Sequence, residues 1–317
     1  LYAIYEEEGY TPSEIPGLIL EHNLYGTEID PRAGALAAFA LTMKAAARRK
    51  LFLKNPVQPN ICVLENVYFD PSELDYLWSL TKGANIARAD ADEFWNAFEH
   101  ADTLGSLIRP NERLVALLGT AIRAGAAEGD LLEGETIRKA AVLIEEASYL
   151  AGRYSAVVAN PPYMGASRMN SFLAEHLRAN WPQGRAGLDV AFWLRVMHLL
   201  AGGGLAGLVT MQSWMFLSTY LDFRSHLFKH WSVESALHLG PGAFPEISGE
   251  VVAAVAAVMS PVSRPGFRAA YVQLTGRGVD KELIARRAAQ GQAPEVVFYV
   301  SLADLEAVPR TPIAYWM

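Results

Sequence analysis

The sequence predicts an α/β fold built around a mostly parallel sheet, covered by helices on both faces. Two observations carry this. Short apolar runs of strand character alternate with helical patterns along the chain. The longest apolar run, Val251 to Met259, is nine residues. That is too short for a membrane helix, which needs about 20 residues, and it reads as a buried strand. The composition agrees: of 317 residues, 51% are hydrophobic and 19% charged, enough apolar material for a sizeable core.

The elements follow in order. Leu1 to Glu8 reads as the end of a helix, and Ser13-Glu14 as the start of a second helix reaching about His22. Leu24 to Ile29 reads as a short strand holding the acidic Glu28. Asp30-Pro31 then opens a helix, with Asp30 as N-cap and Pro31 at the first helical position. It is alanine-rich through Ala47 and ends in Arg48-Arg49-Lys50, cations suited to a helix C-terminus or, alternatively, to DNA. Ile61 to Glu65 is the next strand.

Pro71 to Gly152 has little strand character and reads as a helical insertion. Phe94, Trp95, Phe98 and Ala101 share one helical face there, and Ile137, Ala140, Ala141, Ile144 and Ala147 share another. Strand character returns at Ser155 to Ala159. A helix containing Phe192, Trp193, Val196 and Leu199 follows, with Gly202-Gly203-Gly204 as its stop. Leu205 to Met211 is a strand, Tyr220 to His230 a helix, Val233 to Leu239 a strand, Gly240 to Gly249 a loop, and Glu250 to Met259 a strand. Weaker strands are expected at Ala269 to Leu274 and Val296 to Val300. The expected organisation is a catalytic domain over 1–260 with its insertion at about 71–152. Residues 261–317 would begin a following region.

The formal net charge is −7, so a basic surface for nucleic acid is not a property of the whole chain. The single cysteine, Cys62, cannot form an internal disulfide, which fits a reducing, cytoplasmic setting. No leader pattern of basic residues followed by an apolar core opens the chain, and no membrane partner is expected.

Asn160-Pro161-Pro162-Tyr163 directly follows the apolar run Ser155 to Ala159. Its place at the carboxyl end of a strand is where ligands bind in such sheets. An exocyclic amino group conjugated to a ring is a poor nucleophile because its lone pair is delocalised. Two acceptors aimed at its two N–H bonds would pull the nitrogen toward a tetrahedral shape. The Asn160 side-chain carbonyl can be one acceptor and the Pro161 backbone carbonyl the other. Pro161 and Pro162 stiffen the loop, and the Tyr163 ring can stack on a base. This is positional and electrostatic catalysis. The alternative is a strand followed by a rigid turn. Glu28, ending a strand before a helix, can accept from ribose hydroxyls of a bound nucleotide, or can be a capping or solvated carboxylate.

An ordered set of segments carries a resemblance. They are Tyr25 to Ala33, His100 to Ile108, Val158 to Gly165, Met211 to Leu217 and His238-Leu239-Gly240, followed by Ala243-Phe244 and Gly249 to Val252. Over roughly Leu1 to Ser260 the chain resembles the PglX adenine-specific DNA methyltransferases of bacteriophage-exclusion (BREX) defence systems, within the gamma-type N6-adenine methyltransferases. The resemblance implies a Rossmann-like class I fold and methyl transfer from S-adenosylmethionine to N6 of an adenine flipped out of double-stranded DNA. Other defence-system proteins would be partners.

It further implies that Glu28 binds the cofactor ribose and Ile29 packs on the cofactor adenine. Asn66 lies near the position that contacts that adenine, with Glu65 as its rival. Asn160, Pro161 and Tyr163 would hold the target base, and Phe244 would cover its second face. Asp189 receives no role. Relatives also carry a first strand and a glycine-rich loop of the Asp-Pro-Ala-Cys-Gly-Ser-Gly kind, which this sequence lacks. A fragment of a longer enzyme, weak in cofactor binding by itself, is therefore expected. Its target-recognition region would lie beyond residue 317. Two other readings share the motif: methylation of protein glutamine or ribosomal RNA, and a catalytically incompetent DNA-sensing scaffold.

Overall fold

The computed structural model describes residues 1–81, 85–125, 131–243, 252–276 and 278–317. The chain divides into two compact units, Leu1–Gly152 and Arg153–Met317.

In the first unit, α1 (Tyr2–Glu7) and α2 (Ile15–Leu18) precede a π-helical turn, Ile19–Asn23. The Ser13 side chain does not cap α2, whose N-cap is Glu14 without a side-chain bond. Thr11 Oγ instead donates to the Glu14 carboxylate at 2.5 Å. β1 (Tyr25–Glu28) and β2 (Asn60–Val63) pair in parallel, Tyr25 opposite Asn60. Between them runs α3 (Pro31–Arg48), capped as expected by Asp30, which accepts from the Arg32 amide.

Five helices follow: α4 (Pro71–Leu80), α5 (Arg88–Asn96), α6 (Ala101–Leu104), α7 (Glu112–Gly125) and α8 (Leu131–Ala151). Asp70 and Glu73 form a reciprocal capping box at the start of α4. Phe94, Trp95, Phe98 and Ala101 are buried as core. In α8 the buried stripe is Ile137, Ala140, Leu143, Ala147 and Leu150, whereas Ala141 is exposed. A three-to-four-residue stagger through Leu143 buries more apolar surface than one through Ala141, and so sets the rotation of the helix.

The second unit holds a six-stranded sheet in the order β3-β4-β6-β5-β7-β8. The strands are β3 (Tyr154–Ala159), β4 (Leu200–Met211), β5 (Ser232–Pro241), β6 (Ala253–Ser260), β7 (Arg268–Gln273) and β8 (Val297–Ser301). β3, β4, β5 and β7 point the same way, and β6 and β8 run against them. The mostly parallel sheet is therefore as expected, with two reversed strands. The helices are α9 (Ser171–Asn180), α10 (Leu188–Leu199), α11 (Ser213–Phe216), α12 (Leu221–His230), α13 (Lys281–Ala289) and α14 (Leu302–Glu306).

Gly202-Gly203-Gly204 does not terminate α10, which ends at Leu199; the glycines lie inside the first half of β4. The β3–β4 register shifts there, and Gly203 has φ of +77°. A Cβ on Gly204 would meet the carbonyl oxygens of Ala201, Ser155 and Tyr154 at 3.0–3.1 Å. Gly204 is needed because two backbones approach too closely there for a side chain, and Gly203 because of its positive φ.

One face of this sheet is fully buried, through Ala206, Leu208, Ala236, His238, Val255, Ala257 and Tyr271. The other is half-open. Val158 is 82% exposed, and an open groove of about 610 Å³ is lined by Val158, Asn160, Val209, Leu237, Ala256 and Val258 among others. Cover on both faces, expected from the alternation of elements, is thus incomplete among the described residues of this unit.

Arg224 on α12 is fully buried, with no acidic partner among the described residues. Its guanidinium donates to four carbonyls: Trp214 and Leu217 at 2.8 Å each, Thr311 at 2.8 Å and Arg310 at 3.1 Å. Among the described residues, Arg310 and Thr311 are the non-glycine residues with positive φ, 66° and 47°, so the guanidinium holds a strained turn against α11. Replacing Arg224 with Met should remove the shared donor of four carbonyls, one of them buried and three part-buried. A loss of at least about 3 kcal/mol is expected in denaturant unfolding of the full protein.

Candidate active site at the carboxyl edge of the sheet

β3 and β4 are parallel neighbours, with Ala159 opposite Leu208. Both therefore release their chains on the same edge. β3 releases Asn160-Pro161-Pro162-Tyr163, and β4 releases Gln212 and α11. Pro161 is buried, Asn160 and Pro162 are exposed, and Tyr163 is half-buried. The Tyr163 hydroxyl donates to the Asn160 side-chain oxygen at 3.0 Å. The acceptor needed for an amino group is thus present and is capped by the phenol of its own motif.

The loop is anchored beyond Tyr163. Leu188 N–H donates to the Met164 carbonyl at 2.8 Å and Ala166 N–H to the Ala186 carbonyl at 3.2 Å. Gly165 and Gly187 form an isolated antiparallel bridge. The loop is thereby tied to the start of α10.

Asp189, in the first turn of α10, is 3% exposed. Its carboxylate accepts the Met211 amide at 3.2 Å, binding α10 to the end of β4. Burial pushes its pKa up to about 6, partly offset by bonds from the amides of Met211, Val190 and Asp189 itself. Burial, and then the Asp189 charge, raise the Tyr163 phenol above its ordinary value, so it remains a donor. Asp189 thus stands within electrostatic reach of Tyr163 while bonded to the end of β4. Sequence reasoning assigns no role to this residue; its position inside an apolar helix turn is the only local signal.

In the first unit, Glu28 ends β1. Its Oε1 accepts from the Ile29 amide at 2.8 Å and the Asp30 amide at 3.1 Å. The carboxylate is held by its own loop, with Oε2 making no protein hydrogen bond among the described residues. Ile29 is 44% exposed beside it. Gly105, with φ of +51°, lies against Ile29, and a Cβ there would come within 3.0 Å of Ile29 Cγ2. Thr27 and Ser106 hydroxyls share a hydrogen bond at 2.8 Å. Asn66 Oδ1 accepts the Asp102 amide at 2.9 Å, at the start of α6. Asn66 and Glu28 therefore both have one side-chain oxygen committed to backbone amides.

Glu65, the rival of Asn66, donates its amide to Glu146 Oε1 at 3.1 Å. Glu146 is 1% exposed, and burial pushes its pKa up to about 7. Cys62 nearby is a buried free thiol raised to about 12, chiefly by burial. It is an inert core residue. Phe244, expected over the second face of a base, lies outside the described residues. Among the described residues no cluster of three or more His, Cys, Asp or Glu side chains could hold a metal ion, and no helix is long and apolar enough to cross a membrane.

A family model for the Eco57I restriction-modification methylase matches residues 22–244. The chain belongs to that family. It is 35% identical over its full length to the adenine-specific methyltransferase BrxX of Escherichia coli O9:H4 (strain HS). It is 28% identical, again over its full length, to the adenine-specific methyltransferase PglX of Lacticaseibacillus casei (strain Zhang). It spans 28% and 27% of the lengths of these two relatives. Among solved structures it resembles a nuclease-deletion mutant of the Type ISP restriction-modification enzyme LlaGI, in complex with a DNA substrate mimic. That match has a TM-score of 0.57 and 13% identity, over 98% of this chain and 23% of that one. The fold is shared with that enzyme, and the α/β architecture is as the sequence implied.

The Asp189 environment gives a pH prediction. Its folded-state pKa, about 6, exceeds the ordinary 3.8. The folded state therefore binds more protons than the unfolded state between these values, and stability falls as pH rises through that window. Asp189→Asn keeps an acceptor for the Met211 amide and removes the charge. Denaturant unfolding of the full protein at pH 4 to 7.5 should show the variant gaining on the parent up to pH 6, by at most about 3 kcal/mol. A constant difference across this range would contradict the assigned environment.

Proposed function

We propose that this chain is the central catalytic part of an enzyme that methylates N6 of adenine in double-stranded DNA, using S-adenosylmethionine, within bacterial anti-phage defence. The observation that carries the reading is the Asn160-Pro161-Pro162-Tyr163 loop at the carboxyl end of β3, in a chain of the Eco57I methylase family. The names of its BrxX and PglX relatives support adenine as the target.

Each residue has a defined task in this reading. An adenine flipped from the duplex replaces the Tyr163 hydroxyl on Asn160 Oδ1 with one of its N6–H bonds. The second N6–H bond goes to the Pro161 carbonyl. With both hydrogens held by acceptors, the nitrogen lone pair is drawn out of conjugation with the ring. The displaced Tyr163 ring lies against the base, and stacking offsets part of the few kcal/mol that extrusion costs. The second face falls to Phe244. Transfer would exchange the S–CH3 bond of the sulfonium for an N6–CH3 bond, and the proton that N6 sheds would pass to solvent.

The first unit suits the adenosine half of the cofactor. Glu28 Oε2 is available for a ribose hydroxyl, the exposed flank of Ile29 can pack on an adenine ring, and Asn66 retains its amide donors. When bound, S-adenosylmethionine supplies a methyl group made electrophilic by its sulfonium. The remainder of the full-length protein would supply the sequence-specific grip on DNA, in keeping with the acidic net charge of this part.

Methyl transfer by the full protein, followed as N6-methyladenine by mass spectrometry, tests these roles. Asn160→Ala should lower transfer by at least about 100-fold while leaving cofactor affinity intact. Tyr163→Phe keeps the stacking face and removes the competing hydroxyl, so it should stay within a few-fold of the parent. Tyr163→Ala should lose about 5- to 100-fold. Full activity of Asn160→Ala, or methylation of cytosine in place of adenine, would refute the assignment.

A further inference from the structure

Gln212 is the residue that β4 releases beside the catalytic loop, and it is held on three sides. Its amide donates to the Ala253 carbonyl at 2.9 Å, at the start of β6. The residue before it, Met211, donates to Asp189. Its side-chain Oε1 lies 2.6 Å from Nε2 of His238, on β5. His238 is 5% exposed. Its other ring nitrogen, Nδ1, lies 2.7 Å from the Tyr315 hydroxyl.

Chemistry fixes the direction of this relay. Burial, and then Lys281, push the His238 pKa down to about 4, so the ring is neutral, with one donor and one acceptor. Burial also raises the Tyr315 phenol far above its ordinary value and keeps its proton. Tyr315 therefore donates to Nδ1, and Nε2–H donates to Gln212 Oε1. The amide orientation follows. Oε1 is spent on the imidazole, and the two N–H bonds of Nε2 have no protein acceptor among the described residues.

We infer that these N–H bonds contact the target base, making Gln212 a base-reading residue and His238 and Tyr315 the positioning residues that aim it. The inference rests on the adenine reading above. Gln212 follows the strand next to Asn160 on the same sheet edge, three residues beyond the Val209 level that Asn160 faces. Asp189 joins the two places, being bonded to Met211 and within electrostatic reach of Tyr163. A donor beside the amino-group site fits adenine, whose ring nitrogens N1 and N7 flank the exocyclic amine and both accept. It disfavours guanine, which presents an N–H at N1. The buried imidazole prevents the amide from flipping to offer its oxygen instead.

The test uses the full protein and duplexes of its cognate site in which the target is adenine, 1-deazaadenine or 7-deazaadenine. The parent should lose about 10-fold in kcat/KM on one deaza base, the one lacking the contacted nitrogen. Gln212→Ala should lose about 10-fold on adenine and nothing further on that same deaza base, because the lost contact is shared. Gln212→Glu keeps an acceptor for His238 but offers only oxygen to the base, and should fall at least as far. Tyr315→Phe should give a partial loss that disappears on the same deaza base, which a merely structural role would not produce. The parent treating both deaza bases like adenine would overturn the inference without needing any variant to fold. So would equal further losses by Gln212→Ala on both deaza bases. Failure of the parent to methylate adenine at all would instead sink the underlying reading, and this one with it.

Discussion

The parallel ladder between β3 and β4 decides where chemistry can occur in this chain. Parallel strands release their chains on one edge, and the register that puts Ala159 opposite Leu208 sets Asn160 beside the last residues of β4. That register depends on a place where side chains are excluded, because Gly204 lies against the carbonyls of Tyr154 and Ser155. A one-residue slip would exchange the two faces of β3. It would turn Val158 into the packed side and carry the proline loop with it. The proposed catalytic loop is therefore specified by a backbone fit several residues before the motif begins.

Polar groups at this edge are arranged so that few are left to choose a partner. Asp189 clamps β4 to α10, the Met164 carbonyl takes the α10 amide of Leu188, and His238 fixes one end of Gln212. Burial keeps His238 neutral and the phenols protonated. Such an edge is pre-organised, which is what catalysis by orientation requires, since groups already aligned need no rearrangement as charge develops.

Local features were legible in the sequence. Asp30-Pro31 announced a capped helix, and the proline motif after five apolar residues announced a loop at a strand end. Both signals are contiguous, so they survive without knowledge of the tertiary structure. The same reasoning misplaced Gly202-Gly203-Gly204 as a helix stop, because a glycine cluster after a helix looks alike whether the chain turns or enters a strand beside another backbone. It also put Ala141 on the inner stripe of α8, where a shift of two residues was settled by packing. The Gln212–His238 pair was out of reach for a different reason. Its members are 26 residues apart and meet across the reversed strand β6, which lies between β4 and β5. No period or spacing encodes that insertion. Similarly, the bond from the Asp102 amide of α6 to the Asn66 oxygen spans 36 residues of chain and has no local signal.

Arg224 adds a consequence for how this part can be excised. The last helix ends at Glu306, and a designer choosing a boundary by secondary structure would cut there. The guanidinium, however, binds carbonyls at positions 214, 217, 310 and 311, much as a metal ion gathers oxygen ligands from distant segments. The irregular tail thus fastened carries Tyr315, which stacks on Tyr271 at 4.8 Å and meets His238. Eleven residues without helix or strand are therefore structural members of the sheet's buried face, and trimming them would loosen the proposed base-reading edge before it touched any regular element.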